Sequence, residues 1–320
     1  MLKCIRFFCF VNLKRMTTPL LNPAPYLKGD FTNVINHNTV KDLLGLTMLV
    51  YDYSKTFLLE NGETVENFVS KNMDSDDEEL DLDVTDERKD ALEQLSKRSP
   101  KGKVVKFVSD PVTDIQAGIT ISEMNKRITV VFRGSESKSD WYYDLMVLKK
   151  RILKEKYDDV YVHSGFYKQL HDTDVYSQLT DTLTELKDAN PGYDIYITGH
   201  SLGAALSTLF GFEIAHKFEE KINVVSFASP RIGNKGFRKA FDEKDNLLHY
   251  RITNDRDIVT AGPMILFQHV GKNIALSDSK CCIFHTYDYN EWWKFSLFNC
   301  WRVSDHNVDL YYERLCKHKW

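Results

Sequence analysis

The chain has 320 residues, 42% hydrophobic and 28% charged, proportions that exclude a collagen, a low-complexity chain and a disulfide-stapled module. Its formal net charge of −4 conceals an uneven distribution: nine acids and no Lys or Arg lie between Asp74 and Glu87. Without them the remainder carries +5, of which Lys3, Arg6, Lys14 and Arg15 supply four, so the body is nearly neutral at +1. Such a body has no basic face for nucleic acid.

In chain order, residues 1–15 read as a leader or as sequence ahead of a start at Met16. The apolar run Phe7–Leu13 contains Asn12, ends in Lys14-Arg15 and has no small-residue cleavage site behind it. Residues 16–320 read as one domain. Lys41 to Phe57 has helical spacing behind a polar start, Asn36-His37-Asn38-Thr39, suited to capping. Residues 70–102, which contain the acidic run, read as a surface insertion. Lys103–Ser109 and Gln116–Ser122 look like a strand hairpin, and Arg127–Phe132 like a buried strand. Phe166–Lys187 is helical in period, Asp194–Thr198 a short strand and Leu202–Lys217 a helix. Ile222–Phe227 and Leu247–Thr253 are strands around a helix at Asn234–Phe241. This alternation predicts an α/β class, with a mostly parallel central sheet and helices on both faces.

No run reaches the ~18 apolar residues of a spanning helix. The cysteines (Cys4, Cys9, Cys281, Cys282, Cys300, Cys316) skip residues 10–280 and include no Cys-x2-Cys pair. That pattern argues against zinc and for free thiols in a reducing compartment. An intracellular, membrane-peripheral location is favoured over secretion on this ground.

The central chemical signal is Gly199-His200-Ser201-Leu202-Gly203, entered from a strand and left through a helix with small residues. A Gly-x-Ser-x-Gly pentapeptide alone is weak; in this setting it reads as a nucleophile elbow. The serine sits on a strained turn at the carboxyl edge of the sheet, above the positive end of the next helix. The Leu202 N–H is then one candidate oxyanion donor. A serine needs a base and an orienting acid, here downstream in the order Ser, Asp/Glu, His. Asp255 and Asp257 compete for the acid, and His269, His285, His306 and His318 for the base.

Six ordered segments resemble the class 3 lipases, the fungal-type lipase and plant phospholipase group of α/β-hydrolases. They are Val130–Ser135 with Asp140-Trp141 and Asp144, Val162–Phe166, the elbow, Ser226–Asn234, Asp257–Val259 with His269–Gly271, and Asp305-His306 with Tyr311. The resemblance covers about residues 104–311 and implies an α/β-hydrolase fold. It also implies a triad of Ser201, Asp257 and His306, with His269 structural and the Ser135 N–H as second oxyanion donor. Arg133 and Gly134 are then scaffold, and His163 and His200 brace the pocket. The segment Ser137–Leu148 falls in the family's lid slot, where Trp141, Tyr142, Leu145 and Met146 are candidates for an apolar face; a buried helix would show the same spacing. Thr260-Ala261-Gly262-Pro263 departs from the family, which has proline directly after Val259, and residues 281–304 follow no family pattern.

The expected activity is serine carboxylic-ester hydrolysis of fatty-acyl glycerolipids through an acyl-enzyme. The partners are then a lipid ester substrate and a lipid surface, with no metal, organic cofactor, nucleic acid or protein partner implied. Acyl transfer or peptide hydrolysis on the same triad is the enzymatic alternative. A lipid- or protein-binding module on a retained hydrolase scaffold is the non-enzymatic one.

Overall fold

The computed structural model describes residues 34–52, 102–134, 148–263, 266–278, 281–284 and 302–320. The leader, the acidic run, Ser135, Trp141, Tyr142, Leu145, Met146 and His285 lie outside the described residues. The order of elements is α1 (His37–Asp52), β1 (Lys103–Asp110), β2 (Ile115–Ser122), β3 (Arg127–Phe132), β4 (Lys149–Arg151), β5 (Tyr161–His163), α2 (Ser164–His171) and α3 (Val175–Ala189). There follow β6 (Asp194–His200), α4 (Leu202–Ile214), β7 (Ile222–Phe227), α5 (Lys235–Asp242), β8 (Leu247–Asn254), β9 (Lys272–Leu276), β10 (Cys281–Phe284) and α6 (Val308–Lys317).

Among the described residues, eight strands form one sheet in the order β1-β2-β3-β6-β7-β8-β9-β10. The five from β3 to β9 pair parallel; β1, β2 and β10 add antiparallel margins. Every residue of β3 and β7 is buried, because helices cover both faces of a parallel sheet. On one face Ile128, Val130, Phe132, Ile222 and Val224 pack with apolar residues of α2 to α5. On the other, Val131, Val225, Phe227 and Ile252 meet α1 and α6. α4 is buried at all 13 positions, so its apolar residues run all round rather than in a stripe. The one charge in it, Glu213, is paired with His171 at 3.0 Å.

The helix expected over 166–187 is two helices. The Asp172 N–H closes α2 on the Lys168 carbonyl at 2.8 Å, and α3 starts at Val175. Both helices bury their apolar residues in the same core (Phe166, Leu170; Val175, Leu179, Leu183), which is why the period continues through the break. β4 and β5, three residues each, carry too short a pattern to read as strands. Residues 269–271 lead into a strand that begins only at Lys272, with Gly271 at φ +73°. No helix among the described residues is long and apolar enough to cross a membrane.

Candidate active site

β6 ends at His200 and α4 begins at Leu202, leaving Ser201 alone between them at φ 59°, ψ −121°. A non-glycine residue held there is strained, and the neighbours hold it. Its amide donates to the Phe227 carbonyl at 3.0 Å, which ties the turn to the end of β7. Gly203 must be glycine for a steric reason: a Cβ there would lie 2.3 Å from the Phe132 carbonyl oxygen and 2.8 Å from Arg133 backbone atoms. The first turn of α4 therefore presses directly on the end of β3. The same edge holds Arg133, buried, with a guanidinium nitrogen 3.8 Å from Asp114.

The candidate acid, Asp257, lies on the segment after β8. Asp257 is 1% exposed, and its Oδ1 accepts the Val259 N–H at 2.9 Å. Its Oδ2 accepts the Tyr311 hydroxyl from α6 at 2.7 Å. Burial first, and then the Asp257 charge, push the Tyr311 hydroxyl well above the usual tyrosine range, so it remains a donor. The candidate base, His306, lies on a short 3-10 turn, Val303–His306, joined to this segment by the Arg302 N–H on the Arg256 carbonyl.

His306 Nδ1 lies 3.0 Å from both carboxylate oxygens of Asp257, and its Nε2 lies 2.7 Å from Ser201 Oγ. A carboxylate only accepts, so Nδ1 carries the proton and Nε2 accepts the serine hydroxyl. The three side chains thus form one hydrogen-bonded chain, Ser201–His306–Asp257, an arrangement suited to nucleophilic catalysis.

The other sequence candidates are placed elsewhere. Asp255 pairs with Arg314 at 3.7 Å rather than with the base. His269 Nε2 donates to the Thr260 carbonyl at 2.7 Å, bracing the turn after the acid. His318 lies on the Ser277 carbonyl at 2.7 Å. His163 Nδ1 accepts the Gly165 N–H at 3.2 Å and caps α2.

Two residues, His200 and Asn254, make four contacts that no sequence motif marks. His200 Nε2 donates to the backbone carbonyl of His306 at 2.9 Å, while its Nδ1 faces the Tyr51 hydroxyl of α1 at 3.1 Å. The residue before Ser201 therefore holds the backbone of His306. Asn254 Nδ2 donates to the Asp305 carbonyl at 2.8 Å, and its N–H donates to the Tyr311 oxygen at 2.9 Å. Nothing in local sequence marks Tyr51, since its partner is 149 positions away.

An eight-stranded sheet with a serine at this elbow and an acid and base on the following loops defines an α/β-hydrolase fold with a Ser-His-Asp arrangement. Residues 129–267 match the family described as lipase (class 3). Phospholipase A1-II 1 of Oryza sativa is 33% identical over 171 residues, covering 48% of this chain and 44% of the relative. Secreted mono- and diacylglycerol lipase A of Penicillium camembertii is 27% identical over 166 residues, covering 51% and 52%. The chain spans about half the length of these curated relatives. The solved lipase from Rhizopus microsporus var. chinensis superimposes with a TM-score of 0.65 at 21% identity, covering 89% of this chain and 91% of that one, a likeness of fold. The likeness to the class 3 lipases thus lies in the matched stretch, residues 129–267.

Proposed function

We propose that the protein is a serine carboxylic-ester hydrolase that cleaves fatty-acyl esters of glycerolipids. The observation that carries this reading is the continuous Ser201–His306–Asp257 hydrogen-bond chain on a strained elbow. Ser201 Oγ attacks the acyl carbonyl as His306 Nε2 takes its proton. Asp257 stabilises the imidazolium and keeps the ring oriented without itself taking the proton. The first amides of a helix have no partner within it, which suits the Leu202 N–H to the oxyanion; the Ser135 N–H is proposed as the second donor. One such donor is worth roughly 3–4 kcal/mol of barrier. His306 then protonates the leaving alkoxide, and water activated by the same ring releases the fatty acid from Ser201.

Glycerolipid as the substrate class draws its support from the lipase (class 3) match over residues 129–267 and from the similar lipases and phospholipases. Contact with a lipid surface draws its support from exposed apolar side chains on segments bordering the site: Val112 beside Asp114, Leu266 and Val303. Labelling with a fluorophosphonate, together with hydrolysis of p-nitrophenyl butyrate and octanoate, tests the reading. The wild type should be labelled at Ser201 and turn over both esters, and Ser201→Ala should do neither. An unlabelled, inert wild type, or an active Ser201→Ala protein, overturns it.

A further inference from the structure

Beyond the triad, α6 presents a second prong to the site. Tyr311 and Arg314 are three residues apart and so share one face of the helix. Tyr311 holds the acid. Arg314, 4% exposed, reaches three carboxylates: Nη1 lies 3.2 Å from Asp305 and 3.7 Å from Asp255, and Nη2 lies 2.8 Å from Asp278. Its Nε makes a further bond to Asp278 at 3.1 Å. Asp305 immediately precedes His306, Asp255 lies two residues before Asp257, and Asp278 follows β9. One guanidinium thus joins the base turn, the acid loop and the sheet margin.

We infer that Arg314 is a positioning residue for the base: by gripping Asp305 it fixes the turn that aims His306 between Ser201 and Asp257. The inference deepens the hydrolase reading and rests on it for the role of His306. Asp305 is itself buried, and a buried carboxylate keeps its charge only beside a counter-charge and hydrogen bonds. Without the guanidinium the turn must move toward solvent or take up a proton, and either change displaces the imidazole that follows. A lysine carries the charge but not the fork that spans Asp305 and Asp278 together. Misplacement of a reacting group by about 1 Å can cost about 100-fold in rate.

The test uses full-length Arg314→Met, Arg314→Lys and Asp305→Asn, with circular dichroism reporting folding. Folded Arg314→Met should lose about 10- to 100-fold in kcat on p-nitrophenyl butyrate, with KM unchanged within about twofold. The low-field proton resonance of the His306–Asp257 bond should broaden or vanish in the same protein. Arg314→Lys should restore part of both, and Asp305→Asn should lower kcat without raising KM. If Arg314→Met does not fold, Asp305→Asn, which conserves side-chain volume, decides on the same readouts. A folded Arg314→Met or Asp305→Asn with wild-type kcat and an unchanged resonance overturns the inference. The resonance is read without substrate, so a wild type that shows it yet hydrolyses no ester counts against the hydrolase reading, while its loss in Arg314→Met still supports the positioning role.

Discussion

The hydroxyl of Tyr311 stands between the acid and the strand that delivers it, donating to Asp257 Oδ2 at 2.7 Å and accepting the Asn254 N–H at 2.9 Å. Tyr311→Phe removes both bonds while keeping the ring, and leaves a buried N–H unsatisfied. That should cost about 1–3 kcal/mol of stability, read from urea unfolding, and should lower kcat more than it changes KM. Unaltered stability together with unaltered kcat would show that the hydroxyl is dispensable.

His306 and His269 separate on chemistry. His306→Ala should lower kcat/KM by at least about a thousandfold, as loss of a base in such a triad does. His269→Ala takes a donor from the Thr260 carbonyl and should act mainly on stability, by about 1–3 kcal/mol. Steady-state kinetics on p-nitrophenyl butyrate with parallel thermal melts distinguish the two; the reverse pattern moves the base to His269.

Gly203→Ala should abolish activity and reduce soluble yield. The added methyl meets the backbone of Phe132 and Arg133, and backbone cannot rotate away as the end of a side chain can. A soluble, active Gly203→Ala enzyme would mean that the elbow helix can shift off β3.

Stability should fall on the acid side. His249, a residue of β8, is buried, with Nε2 2.8 Å from Ser226 Oγ. Burial, reinforced by the Arg251 charge, holds its ring well below the ordinary 6.5; burial lowers His216 as well. The unfolded chain therefore takes up protons that the folded chain refuses. Stability should be fully present above pH 6.5 and decline as the pH drops from there toward the depressed folded values. Urea midpoints at pH 8, 6.5 and 5 check this, and the slope should shrink in His249→Gln.

The parallel sheet, the elbow and the order Ser, Asp, His were legible because each has a local pattern: β-branched runs, a glycine-flanked serine at a strand–helix junction, and short motifs in sequence. Leu247 to Thr253 reads as a strand and is one, extended by Asn254. What the residues alone did not resolve was choice among equivalents. Asp255 and Asp257 differ only in which one α6 turns toward His306 and which toward Arg314. The pairing of His200 with Tyr51 is not legible in sequence, because a contact across 149 positions leaves no period behind. The short β4, β5 and β10 have no length from which to show alternation.

α6, which carries Tyr311 and Arg314, is docked against the chain at α1: His37 Nε2 donates to the Leu315 carbonyl at 2.7 Å, and Trp320 Nε1 to the Ile35 carbonyl at 2.9 Å, across 278 and 285 positions. By contrast, β6, α4 and β7 follow one another directly in sequence. Closures this long form late, since entropy is lost before contacts repay it. Competence is therefore the last property a refolding chain acquires. After dilution from urea, circular dichroism should recover ahead of esterase activity, with Trp320 fluorescence tracking the activity; simultaneous recovery of all three would place the docking of α6 early instead.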